Sequence, residues 1–263
     1  MNNFAKFFCI TVLGVFLMVG NAMAFDLDYT WDNPATDTIP SIFEEVITGG
    51  SLDAYDDYSD ATSWEQTNAT VDSYLISMVR GHNGVLGIYS TETGKEYDLM
   101  TTGTEPHVAF GIDDAGALYL NGSEDSVDAD FGQRFGFYWK NTTVTMTSYT
   151  DSDKNAEGTG YSDGETDNML ALTYLVTSGL SVNLKDGTTI DAEGNDDWII
   201  AFEDWAADKA SPFNDGKGGD GDFNDAVFYI ENMQASPEPA TMFLLGSGLL
   251  GLVIARKRFM KKS

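Results

Sequence analysis

The densest set of chemistry-bearing side chains lies between residues 203 and 225. It comprises Glu203, Asp204, Asp215, Asp220, Asp222, Asn224 and Asp225, interleaved with Gly216, Gly218, Gly219 and Gly221. Asp220, Asp222 and Asn224 alternate, so in an extended segment their oxygens fall on one side, while the glycines let the backbone curl around an ion. Hard oxygen ligands at that density suit calcium, the cofactor this loop predicts. A transition metal fits poorly, because the histidines are His82 and His107 and the single cysteine, Cys9, sits in an N-terminal apolar stretch. The competing reading is a solvated turn whose carboxylates cap local amides, since Asp, Asn and Gly are the usual turn residues.

Two familiar motifs are matched only in part. Gly216-x-Gly218-x-x-Gly221 has the dinucleotide spacing, but strand-like sequence follows it, and Asp220 and Asp222 would repel a phosphate. Asp220, Asp222, Asn224 and Glu231 fall at the first, third, fifth and twelfth positions of an EF-hand loop. The sixth is Asp225 rather than glycine, and the glycine-rich approach cannot form an entering helix. Neither His82 nor His107 lies in a nucleophile motif, and both read as surface or strand-end histidines. Glu203 and Asp204 could form a glycosidase pair, but among 42 acidic residues such pairs are inevitable. Trp31, Trp64 and Trp205 are candidates to stack on sugar rings, whereas Trp139 and Trp198 sit in apolar strand patterns and read as core.

The elements that must position the loop read as strands. Candidates are Tyr74 to Val79, Val85 to Tyr89, Glu96 to Met100, His107 to Ile112, Ala117 to Leu120, Phe135 to Trp139, Thr143 to Tyr149, Leu170 to Val176, Trp198 to Phe202 and Ala226 to Glu231. Trp198, Ile200 and Phe202 share one face of their segment, and Phe135, Phe137 and Trp139 share one face of theirs. Many short strands separated by Gly, Asp, Asn and Ser clusters predict an all-β fold, an antiparallel β-sandwich or jelly roll. Helical signal is confined to Ile42 to Ile47 and Trp205 to Lys209, one or two turns each. Asp53 to Asp60 reads as a solvated acidic loop.

Both ends of the chain read as targeting segments. Lys6 precedes an apolar stretch from Phe7 to Val19, a signal helix, and Ala22-Met23-Ala24 offers signal peptidase a small-x-small cleavage site. Near the C-terminus, Pro237-Glu238-Pro239 precedes an apolar run of 16 residues, Ala240 to Ala255, then Arg256, Lys257, Arg258, Lys261 and Lys262. That run is shorter than the roughly 20 residues that comfortably cross a bilayer, so as a transmembrane helix it spans only marginally. The basic cluster keeps the terminus cytoplasmic and exports the rest. The expected organisation is a signal peptide over 1–24, an acidic segment over 25–70 and a β-sandwich domain over 71–234. A tether over 235–240 and a transmembrane helix with basic tail over 241–263 complete it.

The exported part, residues 25–240, carries 8 Lys and Arg against 42 Asp and Glu, a net charge of −34. Such a surface excludes nucleic acid as a partner and attracts cations. Its aromatic and β-branched content can still bury a core, and with the signal removed it has no cysteine to cross-link it.

The tail resembles that of the PEP-CTERM proteins of Gram-negative bacteria, which carry a signal peptide, a Pro-Glu-Pro motif, a short transmembrane helix and a basic cluster in this order. The resemblance implies processing near Pro237, Glu238 and Pro239 by an exosortase-type membrane protease, in bacteria that often make exopolysaccharide. The cargo would be transiently anchored in the inner membrane and destined for the cell envelope, the cell surface or the extracellular space. A second resemblance runs from about Asn83 to Glu231. Phe202-Glu203-Asp204, then Asp220-Gly221-Asp222-Phe223-Asn224-Asp225 and a closing strand, is similar to the core of a family of uncharacterised exported bacterial domains found beside calcium-binding repeats. It implies a β-sandwich with a calcium site and no known catalysis. The expectation is therefore a non-enzymatic surface or matrix protein. A carbohydrate-binding module or adhesin recognising exopolysaccharide is the alternative, and a polysaccharide hydrolase a further one.

Overall fold

The computed structural model describes residues 39–53, 58–59, 61–67, 70–77, 84–101, 107–142, 146–156, 160, 168–184, 187–192, 194, 196–203 and 223–236. In chain order, helix α1 (Ile39–Val46) leads into β1 (Ile47–Thr48), β2 (Tyr58–Ser59), β3 (Trp64–Gln66), β4 (Val71–Ser77), β5 (Gly84–Ser90) and β6 (Glu96–Thr101). Next come β7 (His107–Ile112), β8 (Leu118–Leu120), β9 (Phe135–Asn141), β10 (Met146–Tyr149) and a single 3-10 turn, Ser152–Lys154. The last six strands are β11 (Ala171–Val176), β12 (Ser181–Asn183), β13 (Thr189–Asp191), β14 (Asp197–Phe202), β15 (Ala226–Ile230) and β16 (Met233–Ala235).

Every pairing between these strands is antiparallel, and the described fold is all-β with little helix. A seven-stranded sheet has the order β2-β11-β14-β15-β4-β7-β8, and a six-stranded sheet runs β16-β3-β9-β5-β6 with β10 also on β9. A third sheet, β1-β12-β13, has three strands. The two large sheets share one core. Leu86, Ile88, Phe135, Phe137 and Trp139 from the six-stranded sheet meet Val108, Phe110, Trp198, Ile200, Phe202 and Phe228 from the seven-stranded one. The period-2 faces read from sequence are thus the buried ones.

Alternate residues of the same central strands face the other way. Leu172, Tyr174, Ile199, Ala201, Val227 and Tyr229 form a second core with Ile39, Ile42 and Phe43 of α1 and Val182 of β12. Strands β14 and β15 are therefore buried on both faces, which is why their sequences, Asp197 to Phe202 and Ala226 to Ile230, are almost continuously apolar. Pro40 falls in the first turn of α1, where its missing N–H costs no helical hydrogen bond.

Two side chains stitch the large sheets together. Gln66 on β3 donates through Nε2 to the carbonyl of Ile112 on β7 and accepts its N–H at 2.7 Å, copying a strand partner. Ser148 on β10 donates to the carbonyl of Glu203 at 2.6 Å, just beyond β14. Tight strand approach is secured by glycine at Gly87, where any Cβ would fall inside the ring of Tyr138.

The structure corrects one expectation. Trp64 is fully buried, not exposed, with ring centroids 5.7 Å from both Phe137 and Trp198. Its strand is only three residues long and flanked by polar side chains, so no apolar period announced it. The signal helix, the C-terminal helix, Trp31, Trp205 and His82 lie outside the described residues.

Candidate functional site

The stem of the acidic loop is the β14–β15 hairpin. Its register runs from Trp198 opposite Ile230 to Phe202 opposite Ala226, so the next residues out, Glu203 and Asp225, flank the mouth of the loop. Phe202 inserts into the core between the large sheets, while Phe223, held at φ 51°, inserts into the second core. These anchors on opposite sides of the sheet fix where the loop leaves and returns. The backbone of Glu203 is clamped twice: its N–H donates to Leu170 at 3.0 Å, and its carbonyl accepts from Ser148.

Three of the seven predicted ligands lie among the described residues, at the two sides of the hairpin stem: Glu203, Asn224 and Asp225, all buried. Glu203 is 0% exposed. Asp204, Asp215, Asp220 and Asp222 lie outside the described residues, as do Pro237, Glu238, Pro239, Ala22 and Ala24. Among the described residues, no three Asp, Glu or His side chains converge as a metal-holding group.

Several other described acids are held by specific partners. Asp128 accepts from Lys95 at 2.8 Å, from Tyr97 at 2.9 Å and from the N–H of Asp130. The Lys95 hydrogen bond, above all, holds its carboxyl below the usual range. Asp113 is held low chiefly by the N–H of Ala117, with Ala115 and Tyr119 adding to it. Burial pushes the Asp98 carboxyl up, but Tyr138 at 2.6 Å and Lys140 at 3.2 Å outweigh it and leave it low. Tyr149 donates to Glu96 at 3.0 Å, and burial, followed by that bond, pushes its phenol up to about 12. Sequence reading missed these pairs because partners such as Tyr138 and Asp98 stand 40 residues apart and meet only through strand register.

His107 begins β7, is 45% exposed, contacts Asp72 at 2.9 Å and stacks on Tyr74 with centroids 4.6 Å apart. It is the strand-end histidine the sequence suggested. On the face of the six-stranded sheet away from the core, Tyr89, Tyr138 and Tyr149 cluster, with Lys154 over Tyr89 and Tyr149 and Lys140 over Tyr138. Their rings meet at 75° and 51°, and Tyr89 and Tyr138 are buried, so they do not form a flat sugar-stacking platform.

These features define an all-β, acid-rich body whose last described strand, β16, runs directly into the C-terminal tail. Residues 237–258 match the PEP-CTERM protein-sorting motif. The motif marks an exported protein sorted to the cell envelope or surface and implies processing by an exosortase-type enzyme. No curated protein and no solved structure matches the chain.

Proposed function

We propose that this chain is a non-enzymatic protein of the cell surface or extracellular matrix, a calcium-stiffened β-sandwich delivered through its processed tail. The observation that carries the reading is the sorting motif over 237–258, which starts one residue after the end of the described body. Signal peptidase acting after Ala24 and a transient inner-membrane anchor over residues 240–255 belong to the same reading. So does the likeness of Asn83 to Glu231 to exported domains found beside calcium-binding repeats.

Calcium is supported by the chemistry of the loop. Glu203, Asn224 and Asp225 put three oxygen-bearing side chains, all buried, at the stem, and oxygen is the donor calcium takes. Asp204, Asp215, Asp220, Asp222 and Asn224 would complete an oxygen shell for the ion. At a dissociation constant of about 10⁻⁴ M and about 1 mM calcium, such a site adds roughly 1.4 kcal/mol, enough to firm a loop and not enough to drive folding.

The reading is tested by recovering the protein from the surface of its own cells and determining both termini by mass spectrometry. The expected product begins at Phe25 and lacks Arg256 to Lys262. A surface protein that keeps the whole basic tail would overturn the sorting reading.

A further inference from the structure

Only three residues join the body to the apolar run of its tail. Strand β16 is fixed along its whole length: Met233, Gln234 and Ala235 pair with Gln66, Glu65 and Trp64. The pairing is extended at both ends by Thr67 N–H to Asn232 O and Ser236 N–H to Ser63 O, each 2.9 Å. Met233 is fully buried in the main core, its N–H donates to Asp196 O at 2.7 Å, and its carbonyl accepts from Trp198 Nε1 at 3.0 Å. The next residue after Ser236 is Pro237, which has no N–H with which to continue the ladder.

Only Pro237, Glu238 and Pro239 then separate the pinned strand from the apolar run that starts at Ala240. Three residues reach at most about 11 Å however they are arranged. The geometry points to a membrane-facing surface: the β16–β3 edge of the six-stranded sheet lies against the bilayer of the unprocessed protein. This rests on the reading of residues 240–255 as membrane-inserted before processing. The remainder follows from β16 alone.

The edge is not built to bind lipid by charge. Glu65 and Asp196 stand on or beside it with Thr67 and Gln234, and the body around it is strongly acidic. Anionic headgroups repel acidic segments over a Debye length of about 8 Å. The reach of the three-residue tether is comparable to that length. The tether therefore holds the edge where the bilayer repels it, and severing the tail releases the body outward.

The test uses the full chain, with Cys9→Ser, reconstituted in vesicles whose headgroups carry a nitroxide quencher. Single cysteines at Glu65→Cys and Gln234→Cys report on the edge. Thr101→Cys on β6 reports from four strand spacings away, about 19 Å. A fluorophore at either edge position is expected to be quenched several-fold more than one at Thr101→Cys. Inserting twelve Gly and Ser residues between Ser236 and Pro237, with a root-mean-square reach of about 19 Å, is expected to abolish that difference. Equal quenching at all three positions, or an edge signal that survives the insertion, overturns the proposal while leaving the membrane tail intact. A chain that fails to float with the vesicles overturns the tail reading and the proposal with it.

Discussion

At the scale of single residues, this protein has few cations with which to hold its carboxylates, so tyrosine hydroxyls and backbone N–H groups share the task. Asp128, Asp113 and Asp98 all have folded pKa values below the ordinary one. Groups depressed in this way stabilise the fold fully above the unfolded value, near 4, and lose that contribution as pH falls through the folded value. The melting midpoint should therefore drop as pH is lowered below about 4. Asp128→Asn should melt lower than the parent at pH 7, and the gap should close in acid as the parent's own carboxyl protonates. Tyr149 has the opposite sign, since its raised folded pKa of about 12 favours the neutral phenol. What it contributes is present below about 10 and lost as pH rises through about 12. Circular dichroism between pH 9 and 12 should show Tyr149→Phe losing less structure than the parent. The pairs of Asp128 with Lys95, Asp98 with Tyr138 and Tyr149 with Glu96 were not legible in the sequence, because each joins segments 33 to 53 residues apart, whereas Asp113 is held by a local turn. Of the candidate metal site, the residue types and spacing were legible, but the burial of Glu203, Asn224 and Asp225 was not. It goes with the anchoring of Phe223 in the second core and of the Glu203 carbonyl by Ser148, just beyond β14.

At the scale of elements, legibility followed length. All ten segments read as strands overlap one, and nine of those strands have four or more residues, enough to reveal a period of two or a run of apolar residues; the three-residue β8 is the exception. Strands β1, β2, β3, β12, β13 and β16, each of two or three residues, were missed. They are too short to show a period, and only their partners define them. Their omission hid the third layer and the burial of Trp64. Strand β16 is the most consequential of them, since it joins the body to the tail. Met233→Ala should cost about 2–5 kcal/mol in chemical denaturation, by emptying a fully buried site between the sheets. Gly87→Val should cost about 1–3 kcal/mol by driving a side chain into the ring of Tyr138. A smaller loss would show that β5 and β9 can separate there.

At the scale of the whole molecule, charge and delivery belong together. A body of net charge −34 without cysteine repels itself, and under the proposed reading a divalent cation would lower that charge and tie the segment between Glu203 and Asp225. The sorting motif over 237–258 places the body outside the cytoplasm, where calcium is at hand. The measurement that bears most directly on this account is thermal melting of the Phe25 to Ser236 fragment with calcium or with chelator, at equal ionic strength. About 1.4 kcal/mol in a body of this size corresponds to a midpoint roughly 3–6 °C lower in chelator. Asp220→Asn combined with Asp222→Asn should erase the difference. An identical midpoint in calcium and chelator for the unsubstituted fragment would contradict the account.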